Sequence, residues 1–298
     1  MTRMRTTMMV FGMGTVAAVA MDGFTDPRTA VPGFDAAKLG MSQTGNMELG
    51  IGNGEVDIMK YELGTFLSKP IMPADGIYIM PYFEYNMTAL EFSGWAGPFQ
   101  DEDLHSLGLS TYLVSMNEGS PWILGAWARA ELATDFQHVG GDDYSFDLAG
   151  AVAYRFNESF TFGVGACVTN LNGDENFYPG IGFDWVVNEQ LRVGAYGPTV
   201  AAAYSLDDNW LFTLRLDFAG GVWNITDNLG DSRNIDLTDN RLGIYASRRL
   251  VGDLWLTGGV GVTVGNELEY TTSSGTVLMT TEPDSGVFGA IGLRLKAW

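Results

Sequence analysis

Apolar residues and small or polar residues alternate with a period of two along most of the chain. In the segment 209–218, Trp210, Phe212, Leu214, Leu216 and Phe218 share one face, while Thr213, Arg215 and Asp217 share the other. Successive side chains of a strand point to opposite faces, so this is a strand with one apolar and one polar side. The pattern recurs at Tyr144, Phe146, Leu148, Gly150, Val152, Tyr154 and Phe156, opposite Ser145, Asp147, Ala149, Ala151, Ala153 and Arg155. It returns at Leu254, Leu256, Val260, Val262 and Val264, opposite Thr257, Gly259, Gly261, Thr263 and Gly265. No comparable stretch has helical period, and the pattern predicts an all-β protein.

The connections come in two kinds that alternate. Short acidic or amide turns fall at 117–119, 157–159, 188–190, 207–209 and 251–253, and longer polar loops near 94–103, 138–143, 170–176, 224–238 and 271–285. Only Tyr196-Gly197-Pro198 is short where a long loop is due. Tight turns on one side and long loops on the other are the layout of a transmembrane antiparallel up-and-down β-barrel. Segments from 55–67 through 286–297 supply thirteen strands. A bacterial barrel has an even number, so a further strand around 40–51 completes fourteen; leaving the first hairpin outside the wall gives twelve.

Alternation does not say which face is buried, because a soluble barrel or sandwich alternates too. Three features point to apolar residues outside and polar residues within. Aromatics of the apolar face gather at strand ends, with Tyr154, Phe156, Phe160 and Phe162 around one turn, Trp122 and Phe136 bracketing a strand and Trp210 opening another. Such girdles mark the two membrane interfaces. The polar face is mostly Gly, Ala, Ser and Thr, with charges of both signs at Arg129, Glu131, Asp147, Arg155, Asp184, Arg192, Arg215, Asp217 and Arg241. That mixture suits a crowded, wet lumen. Export is the third feature. Arg3 and Arg5 precede an apolar run from Met8 to Val19, and Ala18-Val19-Ala20 forms a small-x-small cleavage site.

The expected organisation is therefore a signal peptide at 1–20, a Pro-interrupted N-terminal extension at 21–40, and an outer-membrane β-barrel at 41–298. Cleavage after Ala20 removes two basic residues and no acidic one, moving the formal charge from −20 to −22. So acidic a chain does not hold a polyanion by its general field, which argues against nucleic acid as a partner. One cysteine, Cys167, forms no internal disulfide, and with two histidines it leaves no His/Cys zinc set. The expected partners are outer-membrane lipid and the barrel-insertion machinery, read through the strand ending at Trp298. Two and four residues before Trp298 stand Lys296 and Arg294 rather than apolar residues, so a bulge near Ala297 is needed to restore phase. Oligomeric state is not legible.

At this point the sequence resembles an uncharacterised family of bacterial outer-membrane β-barrels, known as a domain of unknown function. The residues that carry the resemblance are Tyr178-Pro-Gly-Ile-Gly-Phe-Asp-Trp185, the turn Val187-Asn-Glu-Gln-Leu-Arg192, the Gly197-Pro198 hairpin and Ala203-Tyr-Ser-Leu-Asp-Asp-Asn-Trp210, with a C-terminal Gly-Leu-Arg-Leu and a terminal aromatic. The resemblance implies a fold and a location and carries no activity or site residue.

Barrel-embedded hydrolases resemble one another in a His-x-Ser pair, but His105 is followed directly by Ser106 and His138 by Val139. Neighbours on a strand point to opposite faces, so His105 and Ser106 do not pair, and no enzymatic role is expected. Asp142/Asp143 and Asp207/Asp208 read as turn residues, and Asp227, Asp231, Asp236 and Asp239 lack EF-hand spacing. Glycine strings such as 258–261 follow period two with no helix behind them, and neither metal nor cofactor is expected. What remains is a lumen charge ladder of Arg129, Glu131, Asp147, Arg155, Arg215, Asp217 and Arg241, which in an open pore sets ion selectivity and in a closed barrel fills space. The expected function is a porin-like passive channel for small solutes or ions, cation-leaning because the chain is acidic. The alternative is a non-conducting structural or surface-interaction barrel with a filled lumen.

Overall fold

The structure, a computed structural model, describes residues 35–296 except 51–52, 96, 98–99, 118, 172–173, 218 and 228–229. The signal segment, residues 21–34 and the terminal Ala297-Trp298 lie outside the described residues. The chain forms β1 (Asp35–Glu48), β2 (Glu55–Phe66), β3 (Ile71–Ala74), β4 (Ile77–Ser93), β5 (Glu102–Met116), β6 (Trp122–Thr134), β7 (Tyr144–Arg155), β8 (Phe160–Leu171) and β9 (Asp174–Val186). It continues with β10 (Leu191–Tyr196), β11 (Thr199–Ser205), β12 (Trp210–Asp217), β13 (Gly220–Thr226), β14 (Ser232–Val251), β15 (Leu254–Thr272), β16 (Val277–Thr281) and β17 (Val287–Lys296). A 3₁₀ turn, Gly141–Asp143, precedes β7.

Fourteen of these strands make the wall, each antiparallel to its neighbours. β17 pairs back onto β1 from Asp35↔Lys296 to Gly45↔Val287, which closes the barrel. Closure leaves no sheet edge to template aggregation. β3, β13 and β16 lie outside that count, in the connections between wall strands. The first wall strand begins at Asp35 rather than near Gly40, because Lys38 and Gly40 already pair with Arg294 and Gly292. Three stretches expected as loops contain strand: 224–226 ends β13 and 232–238 begins β14, 277–281 is β16, and β8 and β9 leave only 172–173 between them.

The alternation points as the composition suggested. Phe146, Ile244 and Ile291 face outward and are 65%, 61% and 54% exposed, in a belt that runs round the wall. Aromatics end the belt on both sides. On the short-turn side Trp122 and Phe156 each lie 4.9 Å from Tyr154, and on the long-loop side His105 lies 4.8 Å from Phe136. Among the described residues no helix is long and apolar enough to cross a membrane.

Two bulges alter the inward face. In β1, Lys38, Gly40, Ser42 and Thr44 point inward; Gly45 and Asn46 then stand opposite Asp57 alone, and Met47 becomes inward. In β15, Gly265 and Asn266 stand opposite Asp239, so the inward parity changes from Thr257–Thr263 to Asn266, Leu268 and Tyr270. Gly265 has φ +61°, a left-handed conformation that a side chain disfavours. One extra residue thus moves an apolar series from the membrane side to the interior.

Candidate functional site

The inward faces are arranged in layers along the barrel axis. At the short-turn end they carry aromatics and small residues, with Tyr82, Tyr112, Trp127 and Trp255 among them. A charged layer lies in the middle. At the long-loop end the same strands turn apolar, and Val56, Ile58, Leu90, Leu104, Ile235 and Leu268 join one buried core.

That apolar core exists because β13 enters the lumen. β13 pairs antiparallel with β14 from Gly220↔Thr238 to Thr226↔Ser232, and its other edge meets β6 in a parallel bridge, Asn224↔Thr134. Around the fourteen-strand wall, β14 and β6 stand on opposite sides, so β13 spans the interior. Trp223 and Ile225 are 5% and 3% exposed and pack into the apolar core. The Trp223 indole Nε1–H donates to Ser106 Oγ at 3.0 Å, and the Thr226 amide donates to Asp135 Oδ2 at 2.8 Å. The start of the connection expected as a solvated loop, 224–226, therefore belongs to an inserted strand, because Trp223 and Ile225 bury more apolar surface inside than a polar loop would.

Ion pairs build the middle layer. Arg129, 4% exposed, bridges Glu84 at 2.5 Å and Glu131 at 2.8 Å, and stands opposite Asp147 on β7. Arg192 pairs with Asp184 on the adjacent strand. Arg215 reaches Asp217 at 2.6 Å, and Thr199 also donates to that carboxylate. Arg241 and Lys60 converge on Asp239 at 2.8 and 2.7 Å, while Arg241 donates to Ser42 and Thr44 as well. A charge away from water needs such partners, since the desolvation cost is otherwise uncompensated.

The seven residues of the expected ladder are placed unequally. Arg129, Glu131 and Asp147 form one cluster, and Arg215 with Asp217 a second. Arg241 joins Asp239 and Lys60 rather than any other member. Arg155 lies at the short-turn end of β7, exposed and outside these clusters. Lys38, Lys60, Glu62, Glu84, Asp239 and Arg294 also belong to these ion pairs, outside the expected ladder. A signal for several was present, because opposite charges two apart on a strand share a face: Lys60/Glu62, Arg129/Glu131, Arg215/Asp217 and Asp239/Arg241 all follow it.

The remaining candidates are placed as follows. His105 sits on the outward face and shares a hydrogen bond with Tyr85 Oη at 2.8 Å, while His138 is exposed in a loop. Cys167 is buried on the inward face beside Trp127. Asp143, expected as an exposed turn residue, is buried, and its carboxylate accepts the Gly140 amide at 2.7 Å. Burial raises that carboxyl above its usual range. Among the described residues, no three or more His, Cys, Asp or Glu are placed to hold a metal ion.

Comparison with curated protein sequences finds no match. Several solved structures are similar in architecture. An outer membrane channel from Pseudomonas putida F1 aligns with a TM-score of 0.46 and 12% identity, over 87% of this chain and 95% of that one. The KdgM porin, solved with disordered oligogalacturonate, gives 0.36 and 8% over 88% and 99%. The TodX monoaromatic hydrocarbon channel gives 0.36 and 10% over 92% and 93%. At such identities and TM-scores the likeness assigns no role to this chain. Residues 81–296, well over half of the chain, match the family described as a domain of unknown function (DUF6268). The chain belongs to that family.

Proposed function

We propose that the barrel spans a bacterial outer membrane, in contact with its lipid, and passes small polar solutes passively along its lumen. The apolar outward belt supports the membrane, because a soluble protein rarely exposes so continuous an apolar surface. The charged inner layer supports a path for polar solutes. The observation that carries the reading is β13, which spans the interior between opposite walls above that layer and so supports a constriction of the path there. Exposed carboxylates at the long-loop end, among them Glu48, Glu91, Asp101, Asp103 and Glu282, support enrichment of cations at the entrance. The apolar core around Trp223 favours a second reading, a non-conducting structural barrel.

Single-channel conductance of the refolded full-length chain in a planar bilayer, under two salt gradients, separates the two. Stable open steps support the channel, and the reversal potential reads the ion preference. A heat-modifiable, inserted barrel that never conducts would sink the channel reading and leave the structural one.

A further inference from the structure

Beneath the inserted strand, a cavity of about 200 Å³ runs along the inner wall formed by β1, β2, β12, β14, β15 and β17. Its upper end is at Ala219, just before β13, and its lower end reaches Arg294 and Ser247, near the short-turn ends of their strands. Five cationic side chains line it, Lys38, Lys60, Arg215, Arg241 and Arg294, against two carboxylates, Glu62 and Asp217.

The partners of those cations are distributed unevenly. Asp239 and Asp35, each almost wholly buried, pair with Lys60, Arg241 and Arg294 of the lining. Asp239 serves two cations at once, so that trio keeps one positive charge in excess. Arg215 reaches toward the open space, 21% exposed. Glu62 is the exception among the carboxylates, exposed and paired with Lys38 at 3.1 Å. Hydroxyls of Ser42, Tyr245, Ser247 and Thr257 stand among the cations and can donate to an acceptor.

We propose that this cavity is a binding site for a small organic anion of carboxylate chemistry. Guanidinium groups give carboxylates paired, charge-assisted hydrogen bonds, and the partly enclosed setting weakens competition from water. The site selects by the charge at the wall rather than by the chain's acidic total, which is carried largely outside the lumen. As a binding site below the cation-enriching entrance of the proposed solute path it rests on that reading, whereas binding itself is measured without conduction.

The test is isothermal titration calorimetry of the refolded full-length chain in non-ionic detergent at low salt. Succinate is the probe and its neutral counterpart succinamide the control. The expected result is saturable binding of one succinate per barrel, weakening with salt, and none of succinamide. Arg215→Gln weakens succinate binding by about tenfold, the scale of one charge-assisted hydrogen bond. Glu62→Gln tightens it severalfold, a gain that misfolding does not produce. Equal binding of both compounds, binding of neither, or no gain in Glu62→Gln overturns the proposal. Succinate binding in a barrel that never conducts leaves the site standing and removes the channel. Conductance without succinate binding does the reverse.

Discussion

The inserted strand makes the sharpest prediction, because one side chain anchors it. Trp223 buries its indole in the apolar core and donates one hydrogen bond to Ser106. A buried Trp removes roughly 150–250 Å² from water. At about 25 cal/mol per Å² that is roughly 4–6 kcal/mol, and the hydrogen bond adds about 1. Truncation to Ala keeps a small part, so Trp223→Ala should weaken the seating of β13 by about 4 kcal/mol, which is close to three powers of ten in its equilibrium. Ile225 and the Thr226–Asp135 bond remain, so the strand is loosened rather than expelled. The wall should be untouched, since none of its ladders uses the Trp223 side chain. Hydrogen exchange of the amides at 220–226 should accelerate by several hundredfold or more, with heat-modifiability on gels unchanged and with longer or more frequent open steps in bilayers. Unchanged exchange at 220–226 would refute the claim that the apolar core holds the strand, whatever the conductance.

Three further perturbations test other parts of the structure. Asp236 and Glu102 lie above the apolar belt, and burial first, then Glu269 and Glu267 for the one and Asp135, Asp103 and Asp101 for the other, raises each carboxyl to about 7. A raised carboxyl means the folded state holds its proton more tightly, so its contribution is fully present below the ordinary value near ~4 and is lost as pH rises through 7. Protection of 232–238 should accordingly be greater at about pH 5.5 than at about pH 8 and flatten in Asp236→Asn; protection that grows with pH contradicts the assignment. Arg129→Ala strands Glu84 and Glu131 without their cation and should cost about 3–5 kcal/mol in urea unfolding, while Arg129→Met combined with Glu84→Gln and Glu131→Gln should cost clearly less. Equal losses in the two would show that packing rather than charge pairing is at stake. Gly265→Val forces a branched side chain into a left-handed position and should cost about 1–2 kcal/mol, read as a lower heat-modification temperature; a neutral result would mean that the bulge relocates.

The wall was legible in the sequence because each of its requirements is local. Period two in 210–217 and 144–155 states which residues share a face, and the tight turns state where the chain reverses. The outward direction of Leu214 or Phe146 followed from the aromatics at strand ends and the small, mixed-charge opposite face. Arg215 with Asp217 and Arg129 with Glu131 were found for the same reason, since partners two apart on one strand need no knowledge of neighbouring strands.

The interior was decided by contacts between residues far apart in the chain. Glu84 meets Arg129 only through the β4–β5–β6 pairing, and Lys60 meets Asp239 only through closure by β17 and β1. Residues 224–238 read as a polar loop because their apolar members, Ile225, Ile235 and Leu237, are interleaved with Asn and Asp. Alternation inside a barrel and alternation in an exposed hairpin look the same. What separates them is the apolar lining contributed by Met47, Leu268 and Tyr270, which the bulges at Asn46 and Gly265 turn inward. A bulge is a single extra residue with no apolar signature of its own. Its effect, exchanging two faces of a strand, is visible only once the strand is paired.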